Sequence, residues 1–182
     1  LKGKKVGFSV GGFEEALLSG MLQKYNLNMS DVDLVNINFS LSPSLIAKKV
    51  DAVIGAFRNF ELNQMDIVNH PGRAFYPEEH GVPTYEELIY IANQKNKKNP
   101  LFDKFFSAIQ KATLTIVNDP VSTWKDFSSF RKGLDDELNK RAYKDTIPRF
   151  ALRPQAHDLK TYTNFSKFLE KKGIIKNITK VE

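Results

Sequence analysis

The chain has 182 residues, no cysteine and one tryptophan, and its 27 Lys and Arg against 21 Asp and Glu leave a formal net charge of +6. With 41% apolar and 26% charged residues it has an ordinary globular composition; a disulfide scaffold and a thiolate-bound metal site are excluded, and no apolar run approaches the length of a membrane span. The cations come in small scattered groups, such as Lys2, Lys4 and Lys5 or Lys95, Lys97 and Lys98, with acidic residues between them. That is a solvated surface, not a nucleic-acid footprint, so no nucleic-acid partner is expected.

The chain opens at Leu1 and goes straight into a short apolar run, residues 5–10, which reads as a strand ending in a Gly11-Gly12 turn. Phe13, Ala16, Leu17, Gly20, Met21 and Tyr25 then recur at helical spacing. Residues 32–38 predict a second strand. Ser42 followed by Pro43 predicts an N-cap and first turn for a helix to Lys49, and residues 50–55 a third strand. Strand, helix, strand, helix, strand with short links implies a parallel sheet wound by helices. A short helix over 59–69, a strand near 73–76, a Pro- and Gly-punctuated loop over 77–83 and a strand over 88–92 are expected next.

Beyond Asn99 the period becomes 3.6. Phe102, Phe105, Ile109, Ala112 and Ile116 share a face; Asp119-Pro120 restarts a helix holding Trp124 and Phe127; Leu134, Leu138 and Arg141 mark a third. Tyr162, Phe165, Phe168 and Leu169 mark a fourth, stopped by Gly173. These aromatic stripes read as core, not as a cofactor box.

Four features carry possible chemistry. Gly7-Phe8-Ser9-Val10-Gly11 matches the nucleophile elbow G-x-S-x-G between a strand and a helix, with His70, His80 and His157 downstream. Against a serine hydrolase, Ser9 falls inside the expected strand, whereas the turn is made by Gly11-Gly12. The same glycines let backbone N–H groups approach a ligand at a helix start, although they satisfy no dinucleotide or phosphate-loop fingerprint. Glu78-Glu79-His80 offers ligand types for a metal, but contiguous residues do not face one ion easily, and a polar loop is the preferred reading, with no metal or cofactor expected. Phe57-Arg58-Asn59-Phe60-Glu61 follows the third strand's carboxyl end, where open α/β sheets bind ligands. Two aromatics, a cation, an amide and a carboxylate suit a polar, planar ligand; a structural salt-bridge cluster suits them equally.

The runs LKGKKVGFSVGGFEEALL, VDLVNINFSLSPSLIAKKVDAVIGAFRNFELNQ and GRAFYPEEHGVPTYEEL resemble the periplasmic substrate-binding proteins of ABC importers that take up pyrimidine precursors of thiamine, a family that includes fungal hydroxymethylpyrimidine phosphate synthases. The tail YTNFSKFLEKKGII is similar to the family's closing helix. The resemblance implies an α/β, type II periplasmic-binding-protein fold, with residues 1–84 as the second βαβαβ lobe and residues 85–182 as a crossing strand and helical tail that complete the first. Receptors of this kind run to about three hundred residues, two domains of ordinary size, which implies an absent opening segment of roughly a hundred residues before Leu1. It implies further a small heterocyclic ligand of the hydroxymethylpyrimidine or formylaminopyrimidine type in an interlobe cleft, an ABC permease as partner, a periplasmic or membrane-anchored extracytoplasmic location and no catalytic residues. The synthase alternative implies a cysteine-rich, iron-associated segment, and this chain holds no cysteine.

For such a ligand, Glu14, Glu61 and Glu79 are the carboxylates expected to accept an exocyclic amine and a protonated ring nitrogen. Phe13, Phe57 and Tyr85 are expected to stack on the ring, with Phe60 as a further candidate that suits the core equally. Arg58 and Asn59 would meet a hydroxyl, formyl or phosphate group, unless Arg58 neutralises one of those glutamates. Gly11 and Gly12 would admit the ligand to the backbone. Standing alone, the chain is expected to leave Phe102, Phe105, Phe106, Phe165 and Phe168 in need of cover and to self-associate.

Overall fold

In the computed structural model, which describes residues 1–177, the first apolar run becomes β1 (Lys4–Phe8), the centre of a three-stranded parallel sheet. It lies between β2 (Val32–Asn36) and β3 (Ala52–Val53), in the order β2-β1-β3. Lys4 stands opposite Val32, Phe8 opposite Asn36, and Val6 and Gly7 opposite Ala52 and Val53. A central parallel strand is covered on both faces, and Val6 and Gly7 are accordingly both buried. All three strands are shorter than their apolar runs suggest. The backbone leaves β1 after Phe8 to bring the Ser9 N–H onto a side chain of the next helix, and it leaves β3 before Gly55, which has φ +94°.

The first helix, α1 (Phe13–Gln23), puts Leu18 and Leu22 against Val6. Leu27, Met29, Val32, Leu34, Ala52 and Ile54 close this core. Each such large side chain contributes about 1.5–3 kcal/mol by leaving water. Helix α2 (Leu41–Ile46) begins two residues earlier than the Ser-Pro pair predicts, with Ser40 at the N-cap. Packing decides the start: Leu41 enters the core, and Ser42 is 1% exposed with its hydroxyl unpartnered, so it does not cap. Helix α3 (Glu61–Ile67) is the trimmed core of the helix expected over 59–69.

α1 to α3 are each followed by a residue at positive φ, Asn26, Lys48 and Asn69, with the next N–H reaching back five residues, as in Leu27 to Leu22 and His70 to Met65. Asparagine twice and lysine once take the left-handed position that glycine adopts most easily. No strand forms at 73–76 or 88–92; the short β-prone runs there lack the partner strand that would make them strands.

The chain forms two compact units, Leu1–Tyr85 with the stretch from Asp158 onward, and Glu86–His157. In chain order α4 (Leu101–Asn118), α5 (Pro120–Phe130) and α6 (Glu137–Thr146) belong to the second. In the first, the closing helix α7 (Leu159–Lys171) lies on α1. Gly20 gives the Phe168 ring room to sit on α1, and Lys172 Nζ donates to Ser19 Oγ and Gln23 Oε1. Asp158 caps α7, and Gly173, at φ +73°, ends it.

In the second unit Asp119 caps α5 as expected, and Trp124, Phe127 and Tyr143 form a ring cluster between α5 and α6. Leu134 lies ahead of α6 instead of within it. The α4 stripe is not the buried core the periodicity predicts. Thr113 alone on α4 is buried, and Phe105 stands exposed against Tyr90 and Phe106. Among the described residues no helix is long and apolar enough to cross a membrane.

Candidate functional site

The three strand ends point the same way, so the segments after β1, β2 and β3 leave one edge of the sheet. In the order β2-β1-β3 the connections diverge between β1 and β3. A crevice at such a switch point, outside the carboxyl ends of the strands, is where open α/β sheets hold ligands.

Glu14 occupies this crevice. It lies in the first turn of α1, favourable for an acid, and is 6% exposed. Its Oε2 accepts the Ser9 N–H at 2.7 Å. From the other side Gly55, two residues beyond β3, packs directly on the carboxylate. Gly12 precedes the helix at φ +83° and donates its N–H to Glu15 Oε2 at 2.7 Å. Gly11 is exposed and Gly12 half-buried, with open space beside the latter.

Phe13 begins an aromatic group next to Glu14. The Tyr85 and Phe165 rings stack at 4.5 Å, and Phe13 stands edge-on to both, at 6.0 and 6.3 Å. Phe13 and Tyr85, both candidates to stack on a ligand ring, thus lie against each other. Phe165, read from its helical spacing as core, joins them, and no local signal could have placed it there.

The segment after β3 is committed largely to itself and to the 77–83 loop. Phe57 N–H donates to Glu61 Oε2 at 2.7 Å, so one oxygen of Glu61 holds the start of α3. The Asn59 carbonyl accepts from Asn63 Nδ2, and Phe57 and Phe60 stand exposed. Arg58 Nη2 contacts both oxygens of Glu78 at 2.9 and 3.1 Å, and its guanidinium lies 4.2 Å over the Tyr76 ring. Arg58 therefore pairs with a glutamate, but with Glu78 and none of the three carboxylates expected to meet the ligand. Glu79 is exposed, and its backbone carbonyl accepts from Lys24 Nζ. His80 Nδ1 is 2.7 Å from the Tyr25 hydroxyl, and its ring lies against Phe75.

Ser9 sits outside β1, in the turn. Its Oγ is buried and has no hydrogen-bond partner, so the nucleophile elbow has no base on its serine. Among the described residues no group of three or more His, Cys, Asp or Glu side chains is placed to hold a metal ion. A concavity of about 480 Å³ lies in the second unit between α4 and α5, lined by Ala112, Ile116 and Phe127 among others. Its wall is mostly apolar, with Lys111, Thr115, Thr123 and Asp126 also lining it.

Residues 1–123 match the family described as NMT1/THI5 like, and the chain belongs to that family. A Haemophilus influenzae protein named as a thiamine biosynthesis protein is 47% identical over 176 residues, covering 96% of this chain and 56% of that protein. The formylaminopyrimidine-binding protein of Halalkalibacterium halodurans is 28% identical over 122 residues, 66% of this chain and 37% of that one. The Saccharomyces cerevisiae 4-amino-5-hydroxymethyl-2-methylpyrimidine phosphate synthase THI5 is 28% identical over 182 residues, 93% of this chain and 53% of that one. The chain thus spans about half the length of the curated relatives it matches. The alkanesulfonate-binding protein SsuA of Xanthomonas axonopodis pv. citri, bound to MOPS, shares the fold at a TM-score of 0.64 and 15% identity, over 96% of this chain and 59% of its own. The architecture is the periplasmic-binding-protein fold that the resemblance implied.

Proposed function

We propose that this chain is part of a solute-binding protein that grips an aminopyrimidine precursor of thiamine, of the hydroxymethylpyrimidine or formylaminopyrimidine type, and delivers it to an ABC permease outside the cytoplasm. In this reading residues 1–84 form one ligand-gripping lobe, and residues 85–182 begin as the segment that crosses to the other, with the closing helix α7 packed back on the first. The observation that carries it is Glu14, a carboxylate held in the β1/β3 crevice by the Ser9 N–H beside the Phe13 ring. A flat ring lying on Phe13 and Tyr85 would offer its exocyclic amine and protonated ring nitrogen to this carboxylate as a fork. Glu61 and Glu79, at the rims of neighbouring loops, would take the polar substituents. Closure of the two lobes on the ligand would shift a hinge equilibrium, and the transporter would read the closed form. Family membership and the formylaminopyrimidine-binding relative support the ligand class, and the fold supports a cleft.

The synthase names of the yeast relatives support a second reading, an enzyme that makes the phosphorylated pyrimidine. The thiols implied for that chemistry are not in this chain.

The test is thermal denaturation of the protein that carries this sequence with 4-amino-5-hydroxymethyl-2-methylpyrimidine. At a ligand concentration a hundred times Kd the stabilisation is about 2.7 kcal/mol. It should vanish in Glu14→Ala and shrink in Glu61→Ala and Glu79→Ala. An unchanged melting temperature at millimolar ligand counts against the ligand class. Growth of a pyrimidine-requiring strain separates the two readings: rescue only with scarce external pyrimidine marks uptake, and rescue without any marks synthesis.

A further inference from the structure

Two glycines beside the crevice adopt left-handed backbone, for different reasons. Gly12, at φ +83°, has open space where a side chain would stand; the turn needs its conformation and nothing else. Gly55, at φ +94°, has no such space. A Cβ built there would collide with Glu14 Oε1 and lie 2.6 Å from Glu14 Cδ, closer than real Cβ atoms come, with Glu14 Oε2 at a tight 3.0 Å. The neighbour that would have to give way is the carboxylate itself, and it is fastened on its other side by the Ser9 N–H at 2.7 Å. With Glu14 this buried, its carboxylate has a slot of fixed width, bounded by the β1 turn and by the bare backbone leaving β3.

We propose that Gly55 is a positioning residue of the ligand site: its missing side chain makes the slot that holds the Glu14 carboxylate in the β1/β3 crevice, so a residue that never touches the ligand determines recognition of the ligand's amine. This rests on the function proposed above. A side chain at position 55 pushes the carboxylate out, away from the Ser9 N–H and from the amine of a ring lying on Phe13. The consequence is selective. Contacts to the rest of the ring remain, and the preference for an amine-bearing ring is lost.

The experiment is a double-mutant cycle in the protein that carries this sequence, read by calorimetry with 4-amino-5-hydroxymethyl-2-methylpyrimidine and with its analogue lacking the 4-amino group. Gly55→Ala and Glu14→Ala should each weaken binding of the amino probe by about tenfold or more, and the double variant no further, since residues acting through one contact do not add. Binding of the analogue should be unchanged in all three. Gly3→Ala is the control. Gly3 also has positive φ, +70°, but meets nothing within 4 Å, so its substitution should lower stability and leave both affinities alone. Gly55→Ala with an intact amino preference, or losses that multiply in the double variant, would overturn the proposal.

If the wild-type protein binds neither probe, the ligand reading fails, and the slot is still tested by urea unfolding. Gly55→Ala should then cost less stability in the Glu14→Ala background than in the wild type, because the collision is gone. Equal cost in both overturns the slot. Should Gly55→Ala not fold, recovery of folding in the double variant supports the contact, and failure of both variants refutes it.

Discussion

Glu14 and Glu61 show how two carboxylates, one after β1 and one after β3, do different work. Both sit in the first turn of a helix, and both accept a backbone N–H at 2.7 Å. The Glu61 bond spans four residues and secures its own helix start. The Glu14 bond ties α1 back to the end of β1, with β3 closing behind it. Removing Glu14 therefore strips a part-buried donor of its acceptor and leaves a void under Gly55. Glu14→Ala should cost about 1.5–3 kcal/mol in urea unfolding, as the loss of a hydrogen bond to a charged group does. A variant as stable as the wild type would show that the bond is not formed in solution. Arg58 is the contrary case. Its pairing with Glu78 is about a third exposed on both sides, worth no more than about 1 kcal/mol, and its main effect is to hold the 77–83 loop near the segment that follows β3.

Among elements, α7 is the one whose ends are most fully written in residues. The Asp158 carboxylate accepts from the Thr161 hydroxyl and from the Thr161 and Lys160 N–H groups. These bonds, the Thr161 hydroxyl first, hold its pKa below the usual aspartate range. The folded state thus favours the ionised form more than the unfolded chain does. The stabilisation is complete above the unfolded value, about 3.9, and is lost as pH falls through the lower folded value. Asp158→Ala should lower the urea midpoint at neutral pH, and the difference from wild type should shrink in acid below about pH 4. A difference that persists unchanged in acid would rule out the carboxylate as its source. At the other end Lys172 is drawn against Phe168, and burial there lowers its pKa, while its ammonium still donates to two α1 side chains.

Across the described residues many large apolar side chains stay exposed. In the unit Glu86–His157, Leu88 and Ile91 are 83% and 87% exposed, in a run that is neither helix nor strand, and Phe130 is exposed as well. Such surface drives association. The 182-residue chain should form dimers or larger species in light scattering, with exposed β-prone segments pairing across copies. Leu88→Lys with Ile91→Lys should shift it toward monomer, because charge on an edge-like segment opposes pairing. A monodisperse monomer of the unsubstituted chain at micromolar concentration would remove this expectation.

Much of the fold was legible because its signals are local. Alternation and 3.6-residue periods act within a few residues, so the βαβαβ order, the Asp119 cap and the Gly173 stop could be read directly. Strand length and the fate of residues 88–92 could not, because a strand exists only with a partner. For the candidate site, the sequence alone brought three segments into view: the turn after β1, the run after β3 and the 77–83 loop. It did not tell which glutamate is buried, that Arg58 chooses Glu78 twenty residues away, that Phe165 stacks on Tyr85, or that Gly55 rather than Gly12 shapes the carboxylate's slot. Those outcomes depend on which backbone passes within a few ångströms of which side chain. Three strands had to be in register before that distance existed.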